Sequence, residues 1–457
     1  MIPPRLVVAV LVLASALAGC VPLPRYEMPQ GQAAMPRIVG ARGPLTAAQS
    51  KAVIQRLANA AGDEGMLARH LAIEEAVAET PLVSGNRTRI LRDGPETFRA
   101  MFAAIKAAKD HIHLEYFIFE DVESDGETLG DLLLAKRRAG IPISIIYDSI
   151  GAAETPEPFF ARLRDAGVQL LSFNPANPLQ ARTGYAPNQR DHRKILLVDG
   201  ELAIIGGINL SSSYQSGPSS TRKQTAEEDP WRDTDLLIEG PAVAQLQALF
   251  LEHWASQKGP ALAPARFFPP LPPRGGEIIR IIGSSPDEEI PRYYVTLLSA
   301  LRNAERSITI TAAYFVPTHQ EKEDLERAAR RGVKVLLLLP GISDSERALD
   351  VAHSHYEDLM EAGVEIYETH GMVLHSKIVV VDGVWSVIGS SNFDQRSVLF
   401  NDEVDAVVLG RGTAEALGKV FAEDLRQARR VDPVAWASRP LGKRLKEWMS
   451  RGIAAML

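Results

Sequence analysis

Apolar and polar positions along this chain switch between two periods. From about residue 81, short apolar runs of the kind that form buried strands are separated by stretches with helical spacing. Residues 98–109 predict a helix, 112–119 a strand, 129–139 a helix, 143–148 a strand, 159–166 a helix and 168–173 a strand. The order then recurs, with helices over 293–304, 322–331 and 353–362 and strands over 308–315, 333–339 and 364–369. Strands alternating with helices predict an α/β sandwich, and the recurrence predicts two of them. Residues 259–276 hold six prolines and little periodicity, and read as the linker. The expected organisation is 1–19 signal peptide, 20–45 tether, 46–80 helical preamble packed on the first domain, 81–258 first domain, 259–276 linker, and 277–457 second domain with a basic C-terminal helix.

Each half then reaches the same stretch. The first copy runs Asp191-His192-Arg193-Lys194, an apolar run, Asp199-Gly200, then Gly206-Gly207-Ile208-Asn209. The second runs Leu374-His375-Ser376-Lys377, an apolar run, Asp382-Gly383, then Gly389-Ser390-Ser391-Asn392. In both, Lys follows His by two residues, Asp by seven and Asn by seventeen. Read as a strand, His and Lys share one face, and Arg193 or Ser376 points the other way. Asp-Gly is a hairpin signal, so a return strand follows. The small residues after it would let a ligand approach the backbone closely.

Each copy thus offers an imidazole, an ammonium and an amide at one strand end. Imidazole can act as nucleophile, base or acid, and lysine can neutralise phosphate oxygens. Two such sets brought together suit a phosphodiester. Nothing in the pattern requires a metal or another cofactor. A Lys beside each His repels a cation, and no Cys/His ligand spacing occurs.

These motifs identify the chain as resembling the phospholipase D superfamily, whose signature is His-x-Lys-x4-Asp followed by small residues and Asn. The resemblance covers roughly residues 85 to 450. Asn188 to Lys194, Tyr314-Phe315-Val316-Pro317, Asp394 to Ser397 and Asn401-Asp402-Glu403 are similar to bacterial cardiolipin synthases rather than to nucleases of the superfamily. The paired transmembrane helices common at the start of such synthases are not seen.

The resemblance implies two pseudo-symmetric α/β domains with one site at their interface and a phosphohistidine intermediate. His192 would be the nucleophile and His375 the acid, with Lys194, Lys377, Asn209 and Asn392 on the phosphate and Gly207 and Ser390 supporting. Asp199 and Asp382 belong to the motif, although an Asp in an Asp-Gly turn also has a purely structural reading. Glu403 and Asp233, which correspond between the halves, could orient imidazoles or be surface carboxylates. Glu115 could line the site floor.

Composition changes this picture little. The chain has 457 residues, 46% hydrophobic and 23% charged, with a net charge of −7. That balance argues against bulk nucleic-acid binding. The single cysteine explains itself. Arg5, an apolar run and Leu17-Ala18-Gly19-Cys20 match a bacterial lipoprotein signal, with Cys20 as the lipidation site. Val21 after it favours the outer membrane, with the protein on the periplasmic face. The tail from Val434 carries Trp436, Trp448 and Met449 among Arg439, Lys443, Arg444, Lys446 and Arg451. It reads either as an interfacial helix or as a terminal helix packed on the second domain.

The expected partners are therefore a phospholipid membrane, a phospholipid substrate and an alcohol or water acceptor, with no nucleic acid. Transfer of a phosphatidyl group, from phosphatidylglycerol to cardiolipin plus glycerol, is the first reading. A phospholipase D hydrolase or a periplasmic phosphodiesterase or nuclease is the second, and a non-enzymatic scaffold the third.

Overall fold

The computed structural model describes residues 25–27, 36–40, 42–62, 65–175, 186, 188–217 and 229–452. The signal segment with Cys20, the loop cations Arg222 and Lys223, and most of the loop before His192 lie outside the described residues.

After helices α1 (Ala47–Ala61) and α2 (Met66–Val77), the first half runs β1 (Leu82–Leu91), α3 (Gly94–Ala107), β2 (Ile112–Tyr116) and α4 (Leu129–Arg138). It continues through β3 (Ile143–Asp148), α5 (Glu157–Asp165), β4 (Gln169–Phe173), β5 (Lys194–Val198), β6 (Leu202–Gly206), β7 (Asp235–Glu239) and α6 (Val243–Ser256). The second half runs β8 (Glu277–Ser284), α7 (Arg292–Asn303), β9 (Ser307–Ala312), α8 (His319–Arg330) and β10 (Lys334–Pro340). Then come α9 (Glu346–Glu361), β11 (Glu365–Thr369), β12 (Lys377–Val381), β13 (Trp385–Gly389), α10 (Gln395–Leu399) and β14 (Asn401–Leu409). The chain closes with α11 (Arg411–Leu425), β15 (Ala428–Arg430), α12 (Pro433–Ala437) and α13 (Leu441–Ser450).

Strand order in the first half is β1-β7-β6-β5-β2-β3-β4. In the second it is β8-β14-β13-β12-β9-β10-β11, with β15 added at the edge. The two orders are the same. Each half has three parallel strands joined by helices and a run of antiparallel strands that carries the motif. β1 pairs antiparallel with β8, which joins the two sheets along one seam.

The pattern of residues explains the elements. β5, Lys-Ile-Leu-Leu-Val, and β12, Lys-Ile-Val-Val-Val, are buried along their whole length, as strands covered on both faces must be. Asp199 and Asp382 have φ of 57° and 53°, and the glycines after them 65° and 67°. Two successive positive φ values make the tight hairpin that Asp-Gly favours. Ile195, Leu197, Ile378 and Val380 share a core that spans the seam, together with Phe250 of α6 and Leu417 of α11.

The preamble does not pack where the sequence suggests. α2 lies on α7 of the second half, and Met66, Leu67 and Leu71 join the core of Leu297 and Leu301. The reason is a buried polar bond. Glu74 accepts from Arg280 of β8 at 2.9 Å, with neither side chain exposed, and His70 stands edge-on to Trp385 of β13. A buried guanidinium requires a carboxylate, and α2 supplies it. Glu74→Ala leaves Arg280 with Glu75 alone, so stability should fall by about 3–5 kcal/mol, read as the shift in a urea unfolding midpoint.

Candidate active site

Two short ladders cross between the halves and set the site. Arg190-Asp191 pairs parallel with Asn401-Asp402 at the start of β14. Trp231-Arg232 pairs parallel with Val373-Leu374. The backbone N–H of His192 then donates to Asp402 O at 2.9 Å, and that of His375 donates to Arg232 O at 2.7 Å. Each histidine follows one ladder, and the acid of the other half follows the same ladder.

The side chains obey that register. His192 Nδ1 lies 3.1 and 3.0 Å from the two oxygens of Glu403. His375 Nδ1 lies 2.8 Å from Asp233 Oδ2. The partners are crossed, so each imidazole is held by a carboxylate from the opposite half. With both Nδ1 atoms held by carboxylates, chemistry falls to the Nε2 atoms, that of His375 lying 3.3 Å from Lys377 Nζ. Lys194 and Lys377 fold back onto the carbonyls of His192 and His375. Lys377 Nζ also lies 3.0 Å from Nδ1 of His375.

Burial dominates the charge states. It drives His192 down to about 4, with Glu403 pulling upward and Lys194 pushing further down. It drives Lys194 to about 7, Glu403 opposing and Lys377 adding. His375 is lowered by burial and by Lys377, against Asp233. The two lysines feel each other and both carboxylates, which marks the sets as one site. At neutral pH His192 is therefore an uncharged imidazole with a free lone pair. A bound anion would favour the charged form of both lysines and of His375.

Around these groups the expected roles shift. Ser390 Oγ donates to Glu403 at 2.5 Å and Asn401 Nδ2 donates to it at 3.1 Å, so Ser390 holds the acid and not the substrate. Gly207 is small because Asp233 lies against it, where a Cβ would collide with the carboxylate. Gly206 and Gly389 make the same room for Asp235 and Asp405. The small residues thus admit side chains of the protein, not a ligand. Asn209 accepts from Ile118 N at 3.2 Å, while the buried Oδ1 of Asn392 has no partner among the described residues.

Glu115 is not on the site floor. Strand alternation turns it to the face opposite His192, where it accepts from Arg193 at 3.3 Å and meets His253 at 2.8 Å. Arg193 also donates to Glu403 O and Ser284 O, which braces the strand that carries Glu403. Glu115, Asp191 and His253 gather atoms within 4.8 Å, as a metal site does. The Arg193 guanidinium already brings the positive charge to that cluster.

Asp199 and Asp382 sit at the far ends of β5 and β12, away from the histidines. Asp199 accepts from the N–H groups of Lys109, Asp110 and His111 at 2.7–3.1 Å. Asp382 accepts from Glu305, Arg306 and Ser307 at 2.8–2.9 Å. Both fasten the turn that leads from a helix into the next strand, so the structural reading of the Asp-Gly turn prevails.

From the sequence, the loop over residues 211–230 that holds Tyr214 is expected to overhang the site, but not the aromatic wall that Tyr214 forms with Trp231 and Tyr314. Tyr214 OH lies 2.9 Å from His375 Nδ1, Trp231 packs at 5.2 Å from the imidazole and Tyr314 stands edge-on at 5.8 Å. Among the described residues His192 has one such neighbour, Phe117 at 5.4 Å. Nothing in the local sequence around Tyr214 or Trp231 announces this, because both belong to the first half and enclose the histidine of the second. Asp235 and Asp405, also passed over in the sequence, carry a signal that could have found them, since each stands two residues after the acid of its half and so on the same strand face.

A family model described as "Cardiolipin synthase, PLD-like domain" matches residues 101–254 and 297–425. A cardiolipin synthase of Geobacillus sp. (strain WCH70) is 33% identical over 392 residues, 85% of this chain and 76% of the relative. One of Geobacillus thermodenitrificans is 34% identical over 413 residues, 89% and 79% of the two chains. A probable cardiolipin synthase of Bacillus subtilis is 30% identical over 376 residues, 81% and 72%. Among solved structures, a phosphatidylserine synthase of Haemophilus influenzae superposes with a TM-score of 0.62 at 12% identity, covering 84% of this chain and 96% of that one. It shares the fold.

The relatives also correct the expected location. Those that match over most of the chain are cardiolipin synthases of Geobacillus and Bacillus, which overturns the expected lipid-anchored, outer-membrane location. Among the described residues no helix is long and apolar enough to cross a membrane.

The turn carboxylates give a test. Asp199→Ala and Asp382→Ala each strand three backbone donors, so each should cost about 1–3 kcal/mol of stability. Activity per folded molecule should stay within about twofold, as read by thermal melts beside turnover below the melting range.

Proposed function

Because the chain belongs to the cardiolipin synthase family of phospholipase D-like proteins, we propose that it joins two phosphatidylglycerols into cardiolipin and glycerol through a phosphohistidine on His192. The enzyme is a phosphatidyltransferase of that family. The observation that supports chemistry on two histidines is the crossed pairing, in which each Nδ1 faces a carboxylate and turns Nε2 to the phosphate, and the choice of His192 as nucleophile follows the family resemblance.

In the first step His192 Nε2 attacks phosphorus. The bond from phosphorus to the glycerol oxygen breaks, and His375 passes its proton to that oxygen. Glu403 stabilises the positive charge that develops on His192, and Asp233 holds the imidazolium of His375. Lys194 and Lys377 neutralise the non-bridging oxygens. In the second step a hydroxyl of another phosphatidylglycerol attacks the phosphohistidine. His375 takes its proton, the N–P bond breaks, and cardiolipin leaves with His192 regenerated.

Transfer requires an alcohol to win over water at the intermediate. The residues around His375 support that outcome. Tyr214, Trp231 and Tyr314 line the base that must accept the proton of the incoming hydroxyl, and their rings take space that water would fill. Tyr314 OH donates to Asp344 at 2.7 Å, a polar pair at the same rim that suits a glycerol hydroxyl.

The decisive experiment is lipid mass spectrometry after incubation of the purified chain with phosphatidylglycerol vesicles. Cardiolipin should form, and His192→Ala and His375→Ala should each lose at least about 10²–10⁴-fold in rate. Phosphatidic acid as the only product would make the enzyme a hydrolase, and activity surviving both substitutions would remove the phosphohistidine. Trp231→Ala should keep turnover but raise the share of phosphatidic acid severalfold. An unchanged product ratio would show that the wall does not govern access of water.

A further inference from the structure

Eight large apolar side chains are exposed among the described residues, and five of them lie on α12 and α13 at the end of the chain. Leu441, Leu445, Trp448 and Met449 are 79%, 57%, 64% and 63% exposed. Their spacing of four, three and one residues places them within about 100° of arc on one face of α13, at 100° per residue. The opposite face holds Glu447, which is 1% exposed. The helix is inverted relative to an ordinary surface helix, with its polar face toward the protein and its apolar face outward.

The attachment is specific. Glu447 accepts from Arg439 at 2.6 Å. Arg439 lies 3.5 Å over the ring of Trp436, and Trp436 stacks on Tyr356 of α9. Lys446 and Arg444 reach Asp350 and Glu357 of α9 at 2.8 and 3.2 Å, and Arg451 reaches Asp358 at 3.7 Å. The apolar stripe is therefore displayed on a braced support.

Three facts on this helix select the occupant. From Leu441 to Arg451 there are four basic residues and one acid, and the acid is buried. Arg444 and Lys446 flank the stripe on its two sides, and beside their α9 partners they stay 40% and 62% exposed, so the rim of the stripe shows cationic side chains to solvent. The supporting helix α9 begins two residues after Asp344, the partner of Tyr314 at the rim of the site. We infer that α13 docks the enzyme on an anionic lipid surface, its stripe set into the boundary between headgroups and acyl chains and Arg444 and Lys446 at the level of the phosphates. This goes beyond the reaction. It names the surface that keeps the site mouth against its substrate.

The test reads docking apart from chemistry. The full chain is mixed with vesicles of phosphatidylglycerol and phosphatidylcholine whose acyl chains carry bromine, and tryptophan emission is followed with Trp448→Phe alongside. Trp254 and Trp385 are buried, so the difference between the two proteins reports Trp448. Quenching of that component is expected, and it is read whether or not lipid is turned over. The pair Leu445→Glu and Met449→Glu should weaken vesicle binding by about tenfold. Turnover on vesicles should fall with it, while turnover of dispersed short-chain phosphatidylglycerol stays within about twofold. Those positions are exposed, and a melting curve checks that the fold is kept. Unquenched Trp448 on vesicle-bound protein, or unchanged binding by the double variant, overturns the proposal. So does a dimer that the double variant splits without loss of vesicle binding, since the stripe would then bind a second copy.

Discussion

Everything at the site depends on two backbone hydrogen bonds that cross between the halves, His192 N to Asp402 O and His375 N to Arg232 O. They fix the register of two short ladders, and the register decides which carboxylate meets which imidazole. Slipping either ladder by one residue would turn Glu403 or Asp233 to the opposite strand face. Each would then be a buried charge without its partner. The packing of the halves and the chemistry of the histidines are thus one constraint, and Arg193, tied to both Ser284 O and Glu403 O, braces it.

The pseudo-symmetry is broken at the site. Where the first half has Gly207 and the short acid Asp233, the second has Ser390 and the longer Glu403. Glycine leaves room for a carboxylate pressed against the main chain. Serine occupies that room and offers a hydroxyl to a carboxylate set further off. The aromatic residues are also unequal, three around His375 and one beside His192 among the described residues. Two nearly equal imidazoles therefore meet different surroundings, as a reaction that needs one nucleophile and one proton carrier requires.

Much of this was legible in the sequence. The repeated motif, the alternation of strands and helices, the Asp-Gly hairpins and the gathering of His, Lys and Asn at one strand end follow from local periodicity and turn chemistry. What was not legible is long-range. The preamble binds the second half because Arg280 needs Glu74, a partnership across 206 residues. Glu115 left the site because Arg193 claims it. Two of the three aromatic residues around His375, Tyr214 and Trp231, come from the other half. Spacing reports which face of a strand a side chain takes, and does not report what lies opposite.

The seam between β1 and β8 carries a record of origin. Asp235 and Asp405, which serve equal roles, pair with Leu91 and Ile282. Counting back five residues from each gives Asn86 and Glu277, and these two are partners of one another across the seam. A position that pairs with its own counterpart is what a two-fold axis produces. The same edge meets itself there, as in an isologous dimer of identical chains. A single-motif chain that associated with its copy through this edge would build one whole site across the axis, acids exchanged included. A linker such as the proline-rich segment between the halves makes an association of this kind intramolecular, at an effective concentration on the order of millimolar. Joined so, the two copies are free to become unequal.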